Sequence, residues 1–434
     1  MTTMTPVRID HLLSTYRDGL LNDSLPFWFK HGVDTEHGGI MTCLDRDGTI
    51  VDTDKGVWQQ GRFAWLLGHL YNTVEKRPEW LETAEHTLGF MERTCFDTDG
   101  RMFFHVTREG DPIRKRRYAF SESFAAIAFG EHARATGNPN SKALATKLYH
   151  AYATHVPAPK YTDIRPMRSM GKPMIQIVTC QQLRESIGLP QATEHIDRAI
   201  QEIQTYFMKP KLRCCMENVG LNGEIFDHFD GRILNPGHAI EGAWFIMHEG
   251  KLRNKPEYVK IGCDILDWMW ERGWDEKFGG MIYFRDVYNK PTTEYWHDMK
   301  FWWPQNETII ATLLAWQLTG DEKYARMHTQ VHDWAYHHFP DPEFGDWYGY
   351  LHRDGRISST LKGNIYKGCF HMPRQKLECW KLCEEIKQGK TRLLQAFSGN
   401  AVNALIPGMP ANAVVPVQPS PNPGGDVPLV SQVS

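Results

Sequence analysis

No Cys-x-x-Cys pair occurs among the nine cysteines of this 434-residue chain. With only Cys214-Cys215 and Cys379-x-x-x-Cys383 close together, an odd count reads as reduced, buried thiols of a cytoplasmic protein, not as a disulfide framework or a zinc site. No apolar run approaches the roughly 18–20 residues that span a bilayer. Met1 to Arg8 lacks a charged segment followed by an apolar one, so neither a membrane span nor a secretory leader is expected. An excess of one charge is missing too: 49 Lys and Arg stand against 52 Asp and Glu, with no basic block. That argues against a nucleic-acid partner. A phosphate loop is also absent. Gly389-Lys390-Thr391 looks like the end of one, but Glu384 stands where the first glycine is required.

What is plentiful is aromatic residues, 12% of the chain with 15 Trp, which suit a large core and also stack on sugar faces. Equally plentiful is a repeated punctuation. Turn-rich segments recur at Asp34–Gly48, Phe96–Phe104, Arg168–Pro173, Leu221–Gly231, Trp274–Tyr283 and Gly345–Gly355. The interval is roughly 50–70 residues, a period that decides the fold class. Short alternating strands closed by Asp-Gly turns read as hairpins. Each precedes an apolar helix, over 58–74, 120–135, 173–187, 236–249, 303–318 and 373–386. A more amphipathic helix follows each of the first five, near 79–94, 141–153, 192–207, 256–271 and 322–338, and 8–30 supplies the sixth partner. Helices apolar on most of their circumference belong between a lumen and an outer layer. The expectation is an all-α fold, an (α/α)6 barrel with short β-hairpin loops at the active-site rim, over residues 1–386. An open solenoid would need polar capping repeats, and none is visible. Residues 387–434, rich in Pro, Ala, Asn and Ser, read as a disordered tail.

In such a barrel all inner helices run the same way, so their N-termini and the long loops meet at one rim. Asn235 can cap the fourth inner helix and Pro236 fits its first position, which puts His238, Glu241 and Phe245 on one face. Arg62, Glu122, Glu307, His371 and Arg374 lie near the starts of other inner helices, with Trp58, Trp302, Trp303 and Phe370 as expected walls. Each has a bland explanation alone; together they make a site. The positive helix end disfavours imidazolium, so His238 is expected to stay neutral. Two histidines on opposite sides of a pocket suit removing a proton from one face of a carbon and returning one to the other. Arg62 could hold the oxyanion that results. Glu307 could orient a histidine or act as a second acid–base group. Glu241 could orient His238, assist ring opening or merely favour the helix start.

Asn235-Pro236-Gly237-His238-Ala239-Ile240-Glu241, Lys300-Phe301-Trp302-Trp303-Pro304 with Glu307, and Lys367-Gly368-Cys369-Phe370-His371-Met372-Pro373-Arg374 resemble the N-acylglucosamine 2-epimerase family. Leu25-Pro26-Phe27-Trp28, Asp52-Thr53-Asp54-Lys55 and Glu217-Asn218-Val219 agree with it, and the likeness covers roughly 10–386. The resemblance implies a cytoplasmic homodimeric (α/α)6 barrel that interconverts N-acetylglucosamine and N-acetylmannosamine, an amino sugar and sialic acid precursor. It implies His238 and His371 as the two bases, Arg62 as the clamp on the enolate oxygen and Glu307 as the supporting carboxylate. Glu241, Trp58, Glu122, Trp303, Asn306 and Arg374 are expected to contact substrate. No metal or other cofactor is expected for the chemistry, and ATP enters only as a family activator away from the site. Pro304-Gln305-Asn306 departs from a His-containing version of the motif. Cellobiose 2-epimerases and mannose or sulfoquinovose isomerases are relatives acting on unmodified sugars. An inverting glycoside hydrolase using two of Glu122, Glu241 and Glu307, or a non-catalytic binding protein, are the competing classes.

Overall fold

The computed structural model describes residues 4–115, 118–155 and 165–390; the tail expected over 387–434 lies outside these residues from 391 on. In chain order the helices are α1 (Pro6–Gly19), α2 (Leu25–His31), α3 (Val57–Thr73), α4 (Pro78–Thr94), α5 (Phe120–Thr136), α6 (Pro139–Ala153), α7 (Gly171–Ile187), α8 (Ala192–Glu202), the short α9 (Phe229–Arg232), α10 (Pro236–Leu252), α11 (Pro256–Gly273), α12 (Trp302–Thr319), α13 (Glu322–His338) and α14 (His371–Lys387). Helices α3, α5, α7, α10, α12 and α14 touch one another in that order. Lys381 closes the ring by donating from α14 to Thr73 Oγ1 of α3 at 3.0 Å. Helices α4, α6, α8, α11 and α13 each pack outside the inner helix before them, and α1 packs on α14. This is an (α/α)6 barrel.

Sequence makes the two layers different. Every residue of α12 from Trp302 to Ala315 is buried, as a helix between lumen and outer layer must be. Outer α8 buries only Ala192, Ile196, Ala199 and Ile200, one stripe at helical spacing. The helix starts are capped: Asn138, Asn235 and Asp321 accept backbone N–H groups of their own first turns.

The rim departs from the expected picture in one respect. True hairpins join Cys43–Leu44 to Ile50–Asp52, His105–Val106 to Pro112–Arg114 and Tyr350–Leu351 to Ile357–Ser359. Other strands pair across successive loops: Lys55–Gly56 with His105–Val106, Met167–Ser169 with Asn218–Gly220, Ile233–Leu234 with Arg285–Asp286, and Lys300–Phe301 with Tyr350–Leu351. Two- or three-residue arms have too few ladder bonds to stand alone, so the loops stitch to their neighbours.

A second device fixes the rim. Asp34, Asp275 and Asp341 each open the same turn, in which the N–H four residues on returns to the aspartate carbonyl, at 3.0, 2.7 and 2.9 Å. Each carboxylate receives one fully buried lysine, Lys55 at 2.8 Å, Lys300 at 3.0 Å and Lys362 at 3.0 Å. Each also receives one arginine from another loop, Arg108, Arg353 and Arg46. Burial works to raise these carboxyl pKa values. The hydrogen bonds from arginine and lysine outweigh it and hold all three well below the usual range. Arg46 lies on the first loop and Asp341 on the last, so this pair joins the two ends of the ring.

The outer layer closes on a neutral cluster. Tyr16 Oη of α1 lies 3.1 Å from His328 Nε2 and 2.9 Å from His332 Nδ1 of α13. Burial lowers the pKa of His328 to about 3 and takes that of His332 well below 6.5.

Two stability results follow. Asp275→Asn strands the buried Lys300 and should lower the unfolding free energy by about 3–5 kcal/mol in urea titration. Because His328 and His332 fold as neutral rings, the unfolded chain binds protons that the folded one does not. Their contribution is complete above pH 6.5 and is lost as pH falls towards about 3. In His332→Phe that part of the acid loss, followed by circular dichroism, should shrink.

Candidate active site

A cavity of about 670 Å³ enters the barrel at this rim. Aromatic side chains form its mouth, where Tyr283 stacks on Phe301 at 4.1 Å. Below them His238 and His371, the third and first residues of α10 and α14, face the same space. Trp303 lies against both imidazoles, with ring centroids 4.9 Å from His238 and 5.8 Å from His371. Gly237 permits this, since a Cβ there would meet Trp303 Cζ3 at 2.6 Å.

The two histidines are held differently. His238 Nδ1 donates to Glu217, 3.0 and 3.1 Å from its two carboxylate oxygens, and its backbone N–H is capped by Asn235 Oδ1 at 3.2 Å. That leaves Nε2 for the cavity. Burial works to lower the His238 pKa, but Glu217 outweighs it and the net shift is upward. The direction is the reverse of that expected from the helix end: a carboxylate in contact outweighs it, an effect of at most about 2 kcal/mol. His371 Nδ1 donates to Glu307 Oε1 at 2.8 Å. Burial takes its pKa well below 6.5; Glu241 opposes this, while the Arg62 and Arg374 charges add to it. His371 is therefore the histidine that gives up a proton readily, and His238 the one that holds a proton more strongly than an ordinary imidazole.

Glu307 does not line the cavity. It sits fully buried behind His371, where it also accepts from Arg374 Nη2 at 2.7 Å and Trp244 Nε1 at 2.7 Å. Arg374 Nη2 donates to Glu241 as well, so Glu241, which lines the cavity, is tied to Arg374 and not to His238. Glu241, Glu307 and His371 bring their donor atoms within 4.8 Å of one another, the grouping among the described residues that could hold a metal ion. The guanidinium of Arg374 already supplies a positive charge there. Two carboxylates this close also fall short of the roughly 6.5–9.5 Å that an inverting glycosidase needs for its water.

Arg62 is the counterpart. It lies between the rings of Phe124 and Phe370, its carbon 4.2 and 4.7 Å from their centroids. Among the described residues no carboxylate pairs with it, and its Nε is buried without a hydrogen-bond partner. Burial pulls its pKa down and Glu241 opposes this, yet a guanidinium stays charged. A buried cation with unused donors facing a cavity is built to receive an anionic oxygen. Trp58, with an unpartnered Nε1, lines the same wall.

Two expected contacts lie elsewhere. Glu122 pairs with Arg101 Nε and accepts from Met102 N at 3.0 Å, on the loop side of α5 and outside the cavity wall. Asn306 is buried within α12 and does not line the cavity either. Its neighbour Gln305 explains part of the unusual motif, for it docks the preceding loop through Met281 N at 2.8 Å and Met281 O at 2.9 Å. Gln60 does the same with Ile40 on α3.

With this geometry in hand, the chain can be compared with known proteins. The sequence profile of N-acylglucosamine 2-epimerase (GlcNAc 2-epimerase) matches residues 38–169 and 215–370. The N-acylglucosamine 2-epimerase of Bos taurus is 34% identical over 385 residues, 84% of this chain and 89% of that one. The chain belongs to the N-acylglucosamine 2-epimerase family. It is thereby a carbohydrate epimerase. The Homo sapiens N-acylglucosamine 2-epimerase is 32% identical, across 84% of this chain and 88% of its own. The solved cellobiose 2-epimerase of Bacillus thermoamylovorans superposes with a TM-score of 0.76 at 21% identity, covering 86% of this chain and 99% of that one, and so shares the fold.

Glu217 was missed as a site residue; it lies 21 positions before His238 in an irregular segment with no helical spacing to announce it. Glu217→Gln removes the charge that favours imidazolium. The His238 titration followed by NMR should move to lower pH, and the basic limb of the kcat/KM profile should move with it; an unshifted limb would show that Glu217 only packs.

Proposed function

We propose that this epimerase interconverts N-acetylglucosamine and N-acetylmannosamine through deprotonation and reprotonation at C2 of the open-chain sugar. The observation that carries the reading is the pair of histidines flanking Trp303, each with Nδ1 tied to its own carboxylate and Nε2 free, beside an arginine with no anionic partner. The identity of the curated relatives, at 32–34%, supports the amino sugar over an unmodified hexose.

In the forward half-reaction neutral His371 Nε2 takes the C2 proton, and the electron pair moves to the carbonyl oxygen at C1. Arg62 stabilises that enolate oxygen. Imidazolium His238 then returns a proton to the opposite face of C2, and the carbonyl re-forms. The reverse direction exchanges the two roles, and solvent resets the histidines after release. Glu307 keeps the His371 Nδ1–H in place so that Nε2 is the acceptor. Glu241, held by Arg374, lines the cavity one turn further along its helix than His238 and faces the reacting end of the sugar. Nothing in this sequence of proton transfers requires a redox group. Dimer assembly, ATP stimulation and a cytoplasmic setting carry over from the family resemblance; sedimentation with and without ATP tests the first two.

Purified protein incubated with N-acetylglucosamine in D2O should produce N-acetylmannosamine bearing deuterium at C2, seen by NMR. His238→Ala and His371→Ala should each lower kcat by about 10²–10⁴-fold. Turnover of mannose or cellobiose with none of the N-acetyl sugar would overturn the substrate assignment, and release of a free sugar from a glycoside would overturn the reaction class.

A further inference from the structure

The cavity is deeper than the chemistry needs. Counted from the helix starts, the histidines occupy the first turn, and Arg62 and Glu241 lie near the second. About one turn further down, the same cavity is walled by Trp65, Ile127, Val178 and Trp244, and His248 and Glu378 form its polar floor. Ten residues separate His238 from His248 on α10, so the floor lies about 15 Å below the upper histidine. Glu378 stands seven residues beyond His371, and His248 seven beyond Glu241, so each lies two turns beneath a site residue on the same helix face.

The walls are built, not merely vacant. Trp65 Nε1 donates to Gln182 Oε1 at 3.0 Å and Trp244 Nε1 to Glu307 at 2.7 Å. Both indoles therefore have their polar edges satisfied and turn apolar surface to the chamber. Ile127, Trp65 and Trp244 are 4%, 2% and 4% exposed. Thr179, Gln181 and Gln182 also reach the lining, so the chamber has one apolar side, where burying a short hydrocarbon is favourable.

The occupant follows from the direction of the sugar, and this step rests on the function proposed above. An open-chain sugar with C2 between the histidines and its longer polyol arm towards the mouth turns C1 and its oxygen inward, to Arg62 in the cavity wall. C3 to C6 then rise past the aromatic mouth. The substituent on C2, adjacent to C1, has the lower chamber as its apolar outlet. We propose that the chamber walled by Trp65, Ile127, Val178 and Trp244 receives the N-acyl group and admits linear acyl chains longer than acetyl.

Comparing kcat/KM for N-acetyl-, N-propanoyl- and N-butanoyl-glucosamine tests this. The wild-type protein should turn over the longer substrates at least as well as N-acetylglucosamine, with a gain of up to about fourfold for each added methylene that is buried. Val178→Phe, which narrows the chamber, should lower the N-butanoyl to N-acetyl ratio by about tenfold or more. Ile127→Phe, on the neighbouring helix α5, should lower the same ratio and serves if the first variant does not fold. A wild-type loss of N-butanoyl turnover with N-acetyl turnover intact would overturn the chamber assignment, as would a ratio unmoved in both folded variants. Absence of N-acetyl turnover in the wild type would instead overturn the parent reading of function.

Discussion

Six parallel inner helices deliver six positive helix ends to one rim, and the site is arranged around that concentration of partial charge. Each N-terminus carries roughly half an elementary charge, so anions gain and cations lose on entering. Carboxylates gather close to these starts: Glu241 and Glu307 in the second turns of α10 and α12, and Glu217 in the loop before α10 in contact with His238. Arg374 is the exception that makes the arrangement stable. Buried on α14, it accepts the field of its helix only because Glu241 and Glu307 both bond to it. Removing either would leave a charge in the wall of the cavity.

From that arrangement comes the inequality of the histidines. Both rings use Nδ1 to contact a carboxylate, so tautomer and orientation are alike. The carboxylates differ in what else they serve. Glu217 is committed to His238 through both oxygens, whereas Glu307 is shared with Arg374 and Trp244, and burial lifts its own pKa against the pull of Arg374. A shared carboxylate has less charge to offer its histidine. The proton affinities of the two rings are therefore pushed apart, upward for His238 and downward for His371, which suits a reaction in which one ring takes a proton while the other gives one.

Much of this was legible before any coordinates. The helix layers could be read because inner helices are apolar all round and outer ones on a single stripe, with glycine turns marking each repeat. His238, His371, Arg62, Trp303 and Arg374 could be placed because residues in the first two turns of parallel inner helices must lie near one rim. The same rule failed for Glu122 and Asn306, since it fixes height along the barrel axis but not which way around the helix a side chain points. Strand pairing between loops was beyond reach, because two-residue arms carry no periodicity. Glu217 lay within a stretch already noted for its resemblance, yet nothing in spacing tied it to His238. The chamber floor could have been found: His248 and Glu378 repeat the faces of Glu241 and His371 at an interval of seven.

The contact between Arg46 and Asp341 has a topological meaning. It repeats, across the seam where the ring begins and ends, the same tie that Arg108 makes to Asp34 and Arg353 to Asp275 within the chain. Helix α1 likewise serves α14 as the other outer helices serve their inner neighbours. The seam is thus joined by the same kinds of bond as the other staves, and the barrel has no privileged first helix. Where the polypeptide is cut is an accident of connectivity, and a circularly permuted chain opened between another outer and inner helix would meet the same set of partners.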